Sequence, residues 1–105
     1  MTVATLERVF PPDMRCVEGH FPGNPIIPGA LVLSETLRAI EKHLALLLSP
    51  CQIRTAKFFH PARPGDRMAI EYSVLKPGEI RFTCTVEDKK VLGGVVACAA
   101  LPARA

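Results

Sequence analysis

Tryptophan is absent, and five phenylalanines with one tyrosine are the only aromatics among 105 residues. Basic residues never gather into a block longer than Lys89-Lys90, and the formal charge is only +3. With neither a basic stripe nor interleaved aromatics, nucleic-acid binding is not expected. Apolar runs such as Leu44 to Leu48 fall far short of the ~20 residues that a membrane helix needs, so no membrane span is expected. The first fifteen residues have no basic start followed by a long apolar stretch, which argues against a secretory signal and for a cytoplasmic protein. Cys16, Cys51, Cys84 and Cys98 stand far apart without a CxxC spacing, and they read as reduced core or surface residues rather than disulfides or metal ligands. Internal repeats and linkers are also missing, so residues 1–105 are expected to form one domain.

Apolar residues make up 49% of the chain and charged residues 22%, enough for one core. Thr2 to Phe10 suits a first strand, Pro11-Pro12-Asp13 turns it, and Arg15 to Val17 reads as a short extended piece. Gly19 to Gly29 holds three prolines and three glycines, which rules out a regular helix or central strand and leaves a shaped loop. From Ala30 to Leu48 the apolar positions Ala30, Leu33, Leu37, Ile40, Leu44 and Leu47 recur at three- and four-residue steps, as one helical face requires, and Pro50 closes the run. Gln52 to His60, Met68 to Leu75, Ile80 to Glu87 and Val91 to Leu101 read as strands. The third alternates cleanly, Ile80, Phe82, Cys84 and Val86 against Arg81, Thr83, Thr85 and Glu87. Turns are expected at Pro64-Gly65-Asp66, Pro77-Gly78 and Asp88-Lys89-Lys90. Strands around one long helix place the fold in the α+β class, and the last strand, apolar on both faces, calls for cover by a second subunit.

Chemistry concentrates in GHFPGNPIIPGALVLSE, Gly19 to Glu35. A rigid loop presents His20 and then enters a helix through Pro28-Gly29. At the helix start the Gly29 N–H lacks an intrahelical acceptor and is available to an oxygen gaining negative charge. A thioester carbonyl polarised there acidifies the adjacent carbon, and a neutral imidazole takes its proton near pH 7. A solitary loop histidine is more often structural; the surrounding Pro/Gly framework and the nearby helix start turn the reading towards function.

This segment resembles the active-site loop of the FabA/FabZ-like 3-hydroxyacyl-acyl-carrier-protein dehydratases, approximately GHFPGxPxxPG before an apolar helix. AKFFHPARPGDRMAIEY, Ala56 to Tyr72, is similar to the strand–turn–strand that follows the helix in that family. The family's usual N-terminal segment has no counterpart, so a short variant is expected, closer to dehydratase-like proteins of specialised acyl or polyene pathways. The resemblance implies a hot-dog domain, with an antiparallel sheet wrapped around one long central helix. It also implies an obligate dimer and a tunnel between protomers for an acyl chain on a phosphopantetheine arm. The implied partners are acyl carrier protein, or another acyl thioester, and a second copy of the chain; larger or heteromeric assembly is the alternative. By the family pattern His20 abstracts the α-proton, the Gly29 amide holds the thioester oxygen, and a helix carboxylate from the other protomer assists departure of the 3-hydroxyl. Phe21, Pro28, Ala30, Phe58 and Phe59 are expected along the substrate path, and no cofactor or metal is implied.

One element departs from the pattern. The family's acidic residue stands fourteen positions after the histidine, where this chain has Ser34, and Glu35 lies about 100° further round the helix. Ser34 is expected on the buried face with Ala30, Leu37 and Glu41, and Glu35 on the polar side, paired with Arg38. Three readings stay open: Ser34 holds a relay water, Glu35 reaches the tunnel through an irregular helix start, or dehydration is lost. The last leaves an acyl-thioester-binding or thioesterase-like protein, or a non-catalytic subunit of a heteromeric dehydratase. His60 reads as a strand-end surface residue and His43 as a complement to the helix dipole. Arg54, Lys57, Arg63 and Arg67 fit either contact with an acidic carrier or ordinary solubility.

Overall fold

The computed structural model describes residues 3–13, 26–48, 50–76 and 78–98. Strand β1 is Ala4–Val9, helix α1 is Gly29–Leu44, and four strands follow: β2 Cys51–Phe58, β3 Arg67–Lys76, β4 Glu79–Val86 and β5 Lys89–Cys98. They form one antiparallel sheet in the order β1-β3-β4-β5-β2. The expected α+β layout is therefore present, with β1 and β2 at the edges. Among the described residues no helix is long and apolar enough to cross a membrane.

Alternation builds the inner face of the sheet. Met68, Ile70 and Tyr72 of β3, Ile80, Phe82 and Cys84 of β4, and Leu92, Val96 and Cys98 of β5 are all buried, as a period of two demands for one covered face. Gly94 makes the packing between β5 and β2 possible: an added Cβ would strike the Thr55 carbonyl oxygen and come within 3.0 Å of the Phe82 ring.

The helix is shorter than its apolar period implies. Ala45 takes the left-handed conformation, φ 57°, and the Ala45 and Leu46 amides donate to the carbonyls of Lys42 and Glu41, so the chain turns off well before Pro50. The Leu48 amide donates to the Glu41 carboxylate, burying Leu48 and leaving Leu47 at 76% exposure. Val32, Leu33, Thr36 and Ile40 face the sheet, with Leu37 and Leu44 only half-buried. Thr36 is accommodated because its hydroxyl donates to the Val32 carbonyl and also meets the Cys84 sulfur. The buried face is thus rotated from the expected one: Ala30 and Ser34 are exposed.

The β4–β5 hairpin turns at Glu87 and Asp88, both with positive φ, one position earlier than expected. Arg63 to Asp66 forms a turn with Gly65 at φ 90°, closed by the Asp66 carboxylate on the Arg63 amide. This turn also exchanges backbone hydrogen bonds with Phe10 at the end of β1.

β2 is exposed along nearly its whole length, with Ile53 and Phe58 each at 50%. A strand with one unpaired edge and uncovered apolar side chains is the sheet's open side.

Candidate active site

The segment entering α1 is pinned before the helix begins. Ile27 bridges Ala62, its amide donating to the Ala62 carbonyl at 2.8 Å, and Pro28 then serves as the N-cap. Proline offers no side-chain acceptor to the first turn, and among the described residues nothing accepts from the Gly29 or Ala30 amides. These two N–H groups sit at the positive end of a 16-residue helix without an acidic residue in its first turn.

Gly29 lies beneath the Phe58 ring. A Cβ on Gly29 would stand 2.9 Å from Phe58 Cε1, so the ring packs where only glycine leaves room. Around this contact is an apolar pocket of about 380 Å³, whose walls include Ile27, Pro28, Gly29, Val32, Phe58 and Phe59. Four expected site residues, Pro28, Gly29, Phe58 and Phe59, thus come together; Ala30 is on the helix but outside the pocket lining. His20 and Phe21 lie outside the described residues.

Positive charge lies beside the aromatic wall of the pocket. Lys57 and Lys90 place their ammonium groups 5.9 and 5.4 Å from the Phe59 ring centre, and His60 Nδ1 hydrogen-bonds the Lys90 carbonyl. Lys90, beside the pocket, is a residue that sequence reasoning missed, because the antiparallel pairing of β2 with β5 brings it next to Phe59. Arg67 instead pairs with Glu7.

Ser34 is exposed and lines no part of this pocket. Glu35 lies in a different groove, between α1 and β1, where Arg8 donates to its carboxylate through Nε at 3.0 Å and a second nitrogen at 2.5 Å. The expected pairing with Arg38 is the weaker contact, at 4.0 Å, and Glu35 is 14% exposed rather than solvated. The rotated helix face explains both corrections, since it turns Glu35 towards β1. In the same groove His43 Nδ1 hydrogen-bonds the Tyr72 hydroxyl at 2.5 Å, a contact not legible from the sequence, and burial pushes the Tyr72 pKa up. Among the described residues no group of His, Cys, Asp and Glu side chains is placed to hold a metal.

Comparison with known proteins gives the family and the fold. The chain is 35% identical over 103 residues to the 3-hydroxyacyl-[acyl-carrier-protein] dehydratase FabZ of Pasteurella multocida, covering 84% of this chain and 66% of that protein. The FabZ of Haemophilus influenzae is 36% identical over 93 residues, covering 81% and 62%. The chain therefore spans just under two thirds of the length of these curated relatives. Among solved structures, the dehydratase heterocomplex ApeI:P from Xenorhabdus doucetiae superposes with a TM-score of 0.67 at 19% identity, covering 91% of this chain and 87% of that one. Slr0204, a 1,4-dihydroxy-2-naphthoyl-CoA thioesterase from Synechocystis, superposes at 0.61 with 18% identity, covering 98% and 86%. These likenesses establish the hot-dog fold. The family model for ApeI-like dehydratases matches residues 1–95, and the chain belongs to that family.

Proposed function

We propose that the protein dehydrates (3R)-hydroxyacyl thioesters carried on acyl carrier protein, giving trans-2-enoyl thioesters, and does so within an assembly of two hot-dog subunits. The observation that carries this reading is the Gly29 amide, which has no acceptor among the described residues, on the wall of an apolar pocket, nine positions after His20 in the sequence. A thioester oxygen seated on that N–H is stabilised as the α-carbon loses its proton, because the amide is oriented before the charge forms. His20 takes the α-proton as a neutral base, and the enolate then expels the 3-hydroxyl, which leaves as water with a proton returned by the imidazolium. Pro28, Phe58 and Phe59 hold the acyl chain away from solvent.

The second subunit enters through β2. Its free edge and the half-exposed Ile53 and Phe58 fit cover by another hot-dog chain, either a second copy or a different subunit. The different subunit is favoured by one observation: Ser34 occupies the position of the family's acid, and Glu35 is bound to Arg8. On that second reading a partner contributes the carboxylate, and the chain alone binds acyl thioesters or hydrolyses them slowly.

Purified protein incubated with a 3-hydroxyacyl thioester and with its saturated counterpart separates these cases. An enoyl product supports dehydration, free acid a thioesterase, and neither product a binding role or an obligatory partner. If dehydration is found, His20→Ala should lower turnover about 10²–10⁴-fold with the circular dichroism spectrum unchanged; unaltered turnover rejects His20 as the base. Ser34→Glu should raise the rate if the pocket otherwise suits the reaction.

A further inference from the structure

No motif links the cysteines, yet the sheet brings two of them face to face. Cys51 opens β2, Cys98 ends β5, and they are register partners in the antiparallel ladder. Both are free thiols, Cys98 buried and Cys51 partly exposed. The Cys98 amide donates to the Gly78 carbonyl on the β4 side at 2.6 Å. Since a strand residue points its N–H and C=O to the same side, neither backbone group of Cys98 is directed at β2. Cys51 and Cys98 are therefore a non-hydrogen-bonded pair, the closer kind, with Cα atoms about 4.5 Å apart and side chains on one face. Disulfides accept Cα separations of about 4.4–6.8 Å, so the bond needs little backbone movement. A cleft of about 540 Å³, lined by both cysteines with Arg54, Lys76 and Glu79, opens the pair to solutes.

We propose that Cys51 and Cys98 are an oxidative modification site, closing to a reversible cross-strand disulfide on reaction with a hydroperoxide and stapling the exposed strand β2 to β5. The Cys51 thiolate attacks one peroxide oxygen, the O–O bond breaks, and Cys51 becomes a sulfenic acid while hydroxide, or an alkoxide from an organic peroxide, departs. Cys98 sulfur then displaces the sulfenic oxygen, which leaves as water. Two thiols are oxidised, and hydrogen peroxide is reduced to two waters.

The surroundings set the speed. Burial, then the Cys98 thiol and the Glu41 carboxylate, push Cys51 up to about 12, and its thiol also donates to the Leu48 carbonyl at 2.7 Å. The charged groups of the adjoining cleft, Arg54 on β2, Lys76 on β3 and Glu79 on β4, complete the electrostatic environment. Thiolate is scarce at neutral pH, so closure is slow and accelerates with pH. The site is independent of the acyl-thioester reading.

The test treats the full chain with hydrogen peroxide at pH 7 and pH 9, followed by alkylation and peptide mapping. The expected product is an intramolecular Cys51–Cys98 disulfide, lighter by two hydrogens, formed about a hundredfold faster at pH 9. The thermal midpoint should rise and return with dithiothreitol. Cys51→Ser, Cys98→Ser and Cys51→Ala should each abolish closure, while Cys16→Ser leaves it intact. Unreacted thiols, pairing through Cys16 or Cys84, an intermolecular bond, a pH-independent rate or a lowered midpoint would overturn the assignment.

Discussion

At Gly29 the absence of one methyl group shapes the pocket. The Phe58 ring occupies the space that a β-carbon would need, and that packing holds the aromatic wall against the helix start. Gly29→Ala is expected to push the ring aside at a cost of about 1–3 kcal/mol, seen as a lower urea midpoint, and to slow the proposed dehydration. In a Phe58→Ala background the same Gly29→Ala change should lower the urea midpoint much less; an equal drop would mean that the clash is not the cause. Glu35 illustrates the limit of reading residue by residue. The sequence places it on a polar helix face near Arg38, but Arg8, distant in the chain, takes its carboxylate because β1 lies alongside α1.

Strands and helix were legible because their periods differ. The alternation in β4 is the clearest case, and its Ile80, Phe82 and Cys84 are buried together. Boundaries were less legible. The apolar period runs on to Leu47 and Leu48, but Ala45 enters the left-handed region and the Glu41 carboxylate caps the turn, so the helix stops at Leu44. The β4–β5 hairpin is displaced by one position for a related reason: Glu87 and Asp88 both hold positive φ, at 51° and 65°, where asparagine and glycine are the usual residues. The double substitution Glu87→Asn with Asp88→Gly should stabilise the protein by about 1 kcal/mol, read from the urea midpoint. A lower midpoint would mean that the native side chains make contacts worth more than the strain.

For the whole molecule, buried thiols tie stability to alkaline pH. Burial raises Cys84 from 9.0 to about 11, and Cys51 stands at about 12. Between pH 9.0 and those values the unfolded chain gives up protons that the native chain keeps. Stability from this source is therefore intact below pH 9.0 and is lost as pH rises through the native values. Urea midpoints measured under reducing conditions should fall from pH 8 to pH 10, and less steeply in Cys84→Ala. An equal slope in that variant would remove Cys84 from the account. At the same scale, the uncovered side of β2 is the surface on which an assembly of hot-dog subunits would be built.

The order of residues alone determined the fold class, the strands, the existence of the long helix and the Pro/Gly entry to Gly29, because each depends on local period or backbone restriction. Tertiary structure decided which helix face is buried, that Glu35 goes to Arg8, that Phe58 roofs Gly29, and that Cys51 meets Cys98. Those four outcomes depend on strand order and register, which bring together side chains whose separation along the chain carries no pattern.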